Sequence, residues 1–199
     1  MYKQKIKKNK GFTIVEAMVA IFILTVSVSS MLGITASSSA SARYANNEIT
    51  ANYLLQEAID SIRNSRDTIA FQMKAPNEVA GTAWKAFLGR YGSPNNKCFS
   101  PGGCFLSMNL FKTEDTTGFS DVSNCVLSCP YLKYDDTASH FFYNYTEGVD
   151  SEFKRTVNMK VNPDYPDEIE VTAKIDWTNG NATAPQTQTL TVYLLNWQK

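Results

Sequence analysis

Among its 199 residues the chain has a single histidine, His140, no proline before Pro76, and no acid before Glu16. Between Glu16 and Arg43 it carries no charge at all. The G-x-S-x-G, H-E-x-x-H and phosphate-loop patterns do not occur, so no catalytic constellation is legible and no cofactor is expected. One histidine, beside Phe141 and Phe142, is expected to pack against a sheet. Lysine plus arginine balances aspartate plus glutamate at 19 each, and that balance does not point to nucleic acid as a partner.

What charge there is stands unevenly. Lys3, Lys5, Lys7, Lys8 and Lys10 crowd the first ten residues. From Phe12 to Leu32, 21 residues include only Thr13, Glu16, Thr25, Ser27, Ser29 and Ser30 as polar members. As a helix this run is about 30 Å long, one hydrocarbon thickness. Five lysines ahead of it favour a cytoplasmic N-terminus, a single span and a head outside. A cleaved secretory signal competes, with Ala40-Ser41-Ala42 as its cut site. However, such apolar regions run about 7–15 residues, and this one is longer and holds an acid near its start. A plain anchor explains length and charge but not Glu16, because an ionised acid deep in lipid costs about 2.5–3.5 kcal/mol.

The lysine-rich leader, then Gly11-Phe12-Thr13-Ile14-Val15-Glu16, then the apolar run, resembles a type IV prepilin or type II secretion pseudopilin. The resemblance implies a prepilin peptidase that cuts between Gly11 and Phe12 and methylates the new Phe12 amine. It implies that Glu16 is the assembly acid, meeting the Phe12 amine of a neighbouring subunit. An ammonium beside a carboxylate offsets part of its desolvation cost. Phe12 and Glu16 are also i and i+4 on one helix, so an internal pair is an alternative. Where many major pilins have a proline partway along the helix, this chain has Gly33, a softer point by about 1 kcal/mol against alanine.

Helical spacing continues past the membrane run. Tyr44, Ala51, Leu55, Ala58, Ile62 and Ile69 fall on one face, and Asn52, Gln56, Asp60, Arg63 and Asn64 on the other. One helix is therefore expected from Phe12 to about Asp67. Residues 71–140 hold Pro76, Pro94, Pro101 and Pro130 and show no clear period. Trp84 to Leu88 is a candidate short helix or strand. Farther on, Phe141–Tyr145 is a short aromatic run. Phe153, Val157, Met159 and Val161 alternate with polar residues, as do Ile169 to Trp177, and Leu190, Val192 and Leu194. Asn179-Gly180-Asn181 marks a turn. Period-two patterning between turns predicts an antiparallel meander with one wet face. The fold class is thus α+β. A long N-terminal helix spans the membrane in its first half and packs on a C-terminal antiparallel sheet head, the architecture the resemblance implies. The expected segments are a cytoplasmic leader (1–11), a transmembrane half (12–34), an amphipathic half (35–69) and a β-rich head (70–199).

Cys98, Cys104, Cys125 and Cys129 are disulfide candidates, since their number is even and the head is expected outside. Three pairings are open. Local pairs would staple two small loops, and crossed pairs would tie the two stretches together. A zinc site is disfavoured by the C-x5-C and C-x3-C spacings, and no metal is expected. Asp164, Asp167 and Glu168 are weighed as a calcium loop against a solvated turn, and the turn is preferred. Asn144-Tyr145-Thr146 and Asn181-Ala182-Thr183 match glycosylation sequons.

Taken together, the sequence reads as a structural, non-enzymatic subunit precursor of a pilus or pseudopilus filament in the inner membrane and, after assembly, on the surface. Its expected partners are the peptidase, other pilin subunits and the membrane. The cysteines fit the C-terminal disulfide loop of many major pilins poorly, which points to a minor subunit. The alternatives are a DNA-uptake minor pilin, a single-pass membrane-anchored binding protein or enzyme, and a secreted protein that loses residues 1–42.

Overall fold

A computed structural model describes residues 11–73, 81–107, 121–136, 142–178 and 185–197. The lysine leader, Pro76, His140, Phe141, the turn at residues 179–181 and the second sequon lie outside the described residues. The order of elements is α1 (Ile14–Gln72), α2 (Thr82–Arg90), a 3-10 turn (Lys97–Phe99), then β1 (Cys104–Ser107), β2 (Asp121–Asn124), β3 (Tyr131–Asp135), β4 (Phe142–Asn144), β5 (Val149–Val161), β6 (Glu168–Trp177) and β7 (Gln186–Leu195). This is an α+β fold, a long N-terminal helix followed by a seven-stranded antiparallel sheet. Two compact units divide it, residues 1–46 and 47–199, and the division falls inside α1.

In the first unit every large apolar side chain from Phe12 to Ile34 is exposed. A helix that is apolar all round and finds no protein cover needs an apolar surrounding. Among the described residues α1 is long and apolar enough to cross a membrane. Its hydroxyls do not oppose this. Thr25 donates to the carbonyl of Phe22, Ser27 to Ile23, Ser29 to Thr25, Ser30 to Ser27, Thr35 to Met31 and Ser37 to Ile34, at 2.7–2.9 Å. A hydroxyl already bonded within its own helix brings little polar cost into lipid.

In the second unit α1 changes character. Ala51, Leu54, Leu55, Ala58, Ile59, Ile62, Ser65, Ile69 and Ala70 are buried, a stripe at helical spacing. Tyr44, placed on this stripe by spacing alone, is instead exposed and falls in the first unit. The stripe packs on the inner face of β5, β6 and β7, where Phe153, Val157, Met159, Ile169, Val171, Ala173, Ile175, Trp177 and Leu194 are buried. The helix lies along β7. Gln188 near the start of that strand donates to Asn52 Oδ1 at 2.9 Å, and Arg66 donates to the Leu195 carbonyl at its end at 3.4 Å. Fourteen residues of helix and seven of strand each rise about 21–23 Å, so the two elements keep in step.

β5 organises the sheet. Lys154 pairs with Asp176 of β6 and with Tyr131 of β3, and Val157 with Ala173 of β6 and Cys104 of β1. β1 and β3 therefore share the edge of β5 opposite β6. Between two core positions of β5 sits Arg155, only 2% exposed. Its guanidinium donates to the carbonyl of Leu54 on α1 at 3.0 Å, to Glu57 Oε2 at 3.3 Å and to the carbonyl of Leu106 on β1 at 3.4 Å. Tyr145 lies under it, 5.9 Å from ring centroid to guanidinium carbon. Burial raises the Tyr145 hydroxyl above its ordinary value, and Arg155 opposes that shift. Arg155 thus ties helix, central strand and β1 at one point.

This geometry yields a graded expectation. Arg155→Ala strands the Glu57 carboxylate and the Leu106 carbonyl and is expected to cost about 3 kcal/mol. Glu57→Gln keeps an acceptor at a partly exposed site and should cost less than about 1 kcal/mol. Urea unfolding of the full chain in detergent reads both, and equal losses would show that Arg155 is not the tie.

Candidate functional site

The candidate site is the start of α1. Gly11, Phe12 and Thr13 precede the helix in non-helical backbone and are exposed. The Thr13 carbonyl accepts the Ala17 N–H at 3.2 Å, and its Oγ1 accepts the Glu16 N–H at 3.3 Å. Thr13 is therefore the N-cap, and Glu16 is the third residue of the first turn. Thr-x-x-Glu at these positions is the capping-box spacing, in which the acid faces the N-terminal end of the helix dipole. The spacing is visible in the sequence, yet reading Glu16 only as a membrane anomaly overlooks it. One carboxylate thus has a reason to be there before any neighbour is invoked.

The cysteines are in the second unit. Cys98 bonds Cys104 and Cys125 bonds Cys129, and no described cysteine is free. Of the three open pairings the structure takes the local one, but the two staples also touch. The Cys125 N–H donates to the Gly103 carbonyl at 3.1 Å, and Thr156 Oγ1 approaches Cys129 Sγ at 3.2 Å. Gly103 has φ +70°, and an added Cβ would stand 2.7 Å from Thr156, so this crossing needs glycine. Local staples therefore do what crossed ones would, holding residues 98–104 and 125–129 together beside β5, with Cys98–Cys104 in the core and Cys125–Cys129 against Thr156 on the other face.

Other candidates fall to local bonding. Asn162 donates to Glu168 Oε1 at 3.3 Å, Asn196 donates to Asp167 Oδ1 at 3.0 Å, and the Asp164 N–H donates to Asn162 Oδ1 at 3.1 Å. Asp164, Asp167 and Glu168 are a hydrogen-bonded turn. Among the described residues no group of three or more His, Cys, Asp or Glu is placed to hold a metal ion. Asn144 of the first sequon is only 5% exposed, and its Oδ1 accepts the N–H groups of Thr146 and Glu147 at 2.8 and 2.7 Å. In the folded head it is not presented to a glycosylating enzyme.

Comparison with known proteins bears on the N-terminal segment. Residues 6–32 match the prokaryotic N-terminal methylation motif, the prepilin-type signature. That motif supports a type IV pilin or pseudopilin precursor. With the apolar helix it fits a single-pass protein anchored in the inner membrane. No curated protein and no solved structure matches the chain. The head therefore stands on its own geometry.

The staples close loops of about 5 and 7 residues, for which chain entropy gives roughly 2 kcal/mol each. Replacing Cys125 and Cys129 by serine is expected to lower stability by about that amount. Alkylation of the denatured, unreduced protein should label none of the four cysteines. Labelling of all four in protein taken from its own compartment would overturn the disulfides.

Proposed function

We propose that the chain is a precursor subunit, of the minor kind, of a type IV pilus or type II secretion pseudopilus filament. Residues 1–11 are the cytoplasmic leader. Prepilin peptidase cuts between Gly11 and Phe12 and methylates the Phe12 amine. Residues 12–34 hold the mature chain in the inner membrane with the head outside, until the helix joins those of other subunits in a filament core. The observation that carries this reading is the methylation motif at residues 6–32, set on a helix whose first turn bears one acid and whose large apolar side chains up to Ile34 have no protein cover. The disulfides favour a head outside the reducing cytoplasm. Their local pairing within residues 98–129 fits the C-terminal disulfide loop of many major pilins poorly, which favours a minor subunit.

In this reading Glu16 serves assembly. It lies four residues past the cut, about 6 Å along the helix, where a lone subunit can hold it near headgroups and water. In a packed core that refuge is gone, and a Phe12 amine of an adjacent subunit removes most of the cost of an unpaired charge. The pair also sets the axial register between helices that are otherwise apolar.

The intact mass of the mature protein is expected to correspond to residues 12–199 plus one methyl group. A chain beginning at Arg43 would establish a secretory signal instead, and one beginning at Met1 a plain anchor.

Two substitutions separate the roles of Glu16. Glu16→Gln keeps a capping-box acceptor without the charge, whereas Glu16→Ala loses both. Both are expected to reach the membrane and be cleaved, and both to fall in sheared filaments. Normal incorporation of the glutamine variant alone would reduce Glu16 to a helix cap.

A further inference from the structure

Beyond β6 the sheet ends in a strand whose main chain is half used. β7 pairs only with β6, through an unbroken register from Glu168–Leu195 to Trp177–Gln186. The phase of that ladder is fixed at its end, where the Asn196 N–H donates to the carbonyl of Asp167 opposite it at 2.8 Å. Bonded and non-bonded pairs alternate along an antiparallel ladder. Leu194, Val192, Leu190 and Gln188 therefore turn their N–H and C=O groups to β6. Thr187, Thr189, Thr191, Tyr193 and Leu195 turn theirs away from it. Among the described residues only the Leu195 carbonyl has a partner on that side, Arg66 at 3.4 Å.

We infer that this edge takes an added strand, an extended, uncharged segment of a different filament subunit laid along Thr187–Tyr193. The inference rests on the filament reading, which supplies the other subunits. First, the edge asks for a peptide. Its outward donors and acceptors recur every second residue over about 20 Å, and an extended backbone repeats with that period. Second, the edge is unguarded. Free edges are ordinarily blunted by charge, proline, a bulge or short length. Gln186–Leu195 is ten residues long, holds no charge and no proline, and keeps its register throughout. Third, Leu190 and Val192 pack against the core yet stay partly exposed, whereas Ala173 and Val171 opposite them are fully buried. A strand beyond β7 would cover them. Fourth, the exposed row beside the added strand is Thr187, Thr189, Thr191 and Tyr193. Such neighbours pair with β-branched, aromatic or hydroxyl side chains and offer no charge to an ion.

A second copy of this chain does not fit. Its other free edges among the described strands are β2 and β4, of four and three residues. Its β7 has the length, but α1 runs beside β7 in the same direction, from Asn52 at Gln188 to Arg66 at Leu195. Antiparallel pairing of two β7 edges reverses the second helix. Parallel pairing carries it to the opposite face of the joined sheet. Helices that enter one filament core together can do neither.

A photoreactive benzoylphenylalanine at position 189 of the full chain tests this in producing cells. The expected product joins the chain to one short stretch of another filament subunit. Thr191→Pro removes an N–H that the β6 ladder does not use, a change edge strands tolerate, and should lower the adduct roughly tenfold. Thr191→Ala keeps that N–H and should leave the yield within about twofold. Unlabelled cysteines show that both heads are folded. Hydrogen exchange reads the unaltered chain in detergent. The amides of Thr187, Thr189, Thr191 and Tyr193 should exchange freely, and those of Leu190 and Val192 slowly. Slow exchange of the outward amides would show an edge already covered and would overturn the inference. So would equal yields from the two Thr191 variants, an adduct only within one chain or with a second copy, or no adduct while the chain enters filaments. Each of these leaves the filament reading intact. A proline-sensitive adduct on a chain with an unprocessed N-terminus, in cells that make no filaments, would support the added strand and sink the filament reading.

Discussion

Burial of the stripe from Ala51 to Ala70 on β5, β6 and β7 is the constraint on which the head depends. An antiparallel sheet with one apolar face cannot remain open to water. Without the helix, Val157, Val171, Ala173 and Ile175, all fully buried, would face solvent. Burying a valine- or isoleucine-sized side chain contributes about 1.5–3 kcal/mol, so no other set of contacts in the head approaches this one. The small residues Ala51 and Ala58 on the stripe let backbone and sheet approach closely. Arg155 then fixes where along the helix the sheet sits, because its hydrogen bond to the Leu54 carbonyl and its ion pair with Glu57 admit no slippage by a turn.

The stapled region answers a different problem. Residues 91–104 contain little that could build a core of their own, and β1 and β2 are four residues each. Elements that short cannot hold themselves on a sheet edge by ladder bonds alone. The structure solves this by burying both disulfides beside β5: Cys98–Cys104 joins the core, Cys104 being paired with Val157, and Cys125–Cys129 lies on the opposite face, where Thr156 and Asn158 bond to the stapled stretch, Asn158 to the Ser100 carbonyl at 3.2 Å. One face of the central strand is thus covered by the helix and part of the other by the Cys125–Cys129 cystine. The same cover leaves Val126 and Leu127 standing outward.

How much of this the sequence discloses follows from how local each signal is. The methylation motif, the apolar run and β6 are legible because every residue they need is contiguous and in period; Ile169, Val171, Ala173, Ile175 and Trp177 are buried in strict alternation. The stretch from Trp84 to Leu88 falls inside α2, where a five-residue window could not separate helix from strand. β5 begins at Val149, four residues before its apolar alternation, because its first residues are exposed and pair only with β3. β7 likewise begins at Gln186, since Gln188 is held by a bond to Asn52 that no pattern encodes. Arg155 occupies a core phase between Phe153 and Val157, and that parity was the signal that it is buried. What fills its donors comes from 49 to 101 residues away, and no local pattern carries such information.

Glu16 joins these levels. At the third position of α1 it stands where a carboxylate is favoured by free N–H groups and the helix dipole, an effect of about 0.3–1 kcal/mol at exposed sites. That benefit belongs to a single chain. It lowers the cost of an acid at the membrane edge without removing it. Immersed among other apolar helices, the same charge would cost several kcal/mol, more than a cap returns. Under the proposed function the cap would account for a subunit that tolerates Glu16 before assembly, and a compensating cation would account for one that keeps it afterwards. The nearest such cation is the amine that cleavage before Phe12 would create. In the proposed function that amine would not exist until the leader is removed, so the chemistry that would license packing would be made by the same cut that would mature the chain.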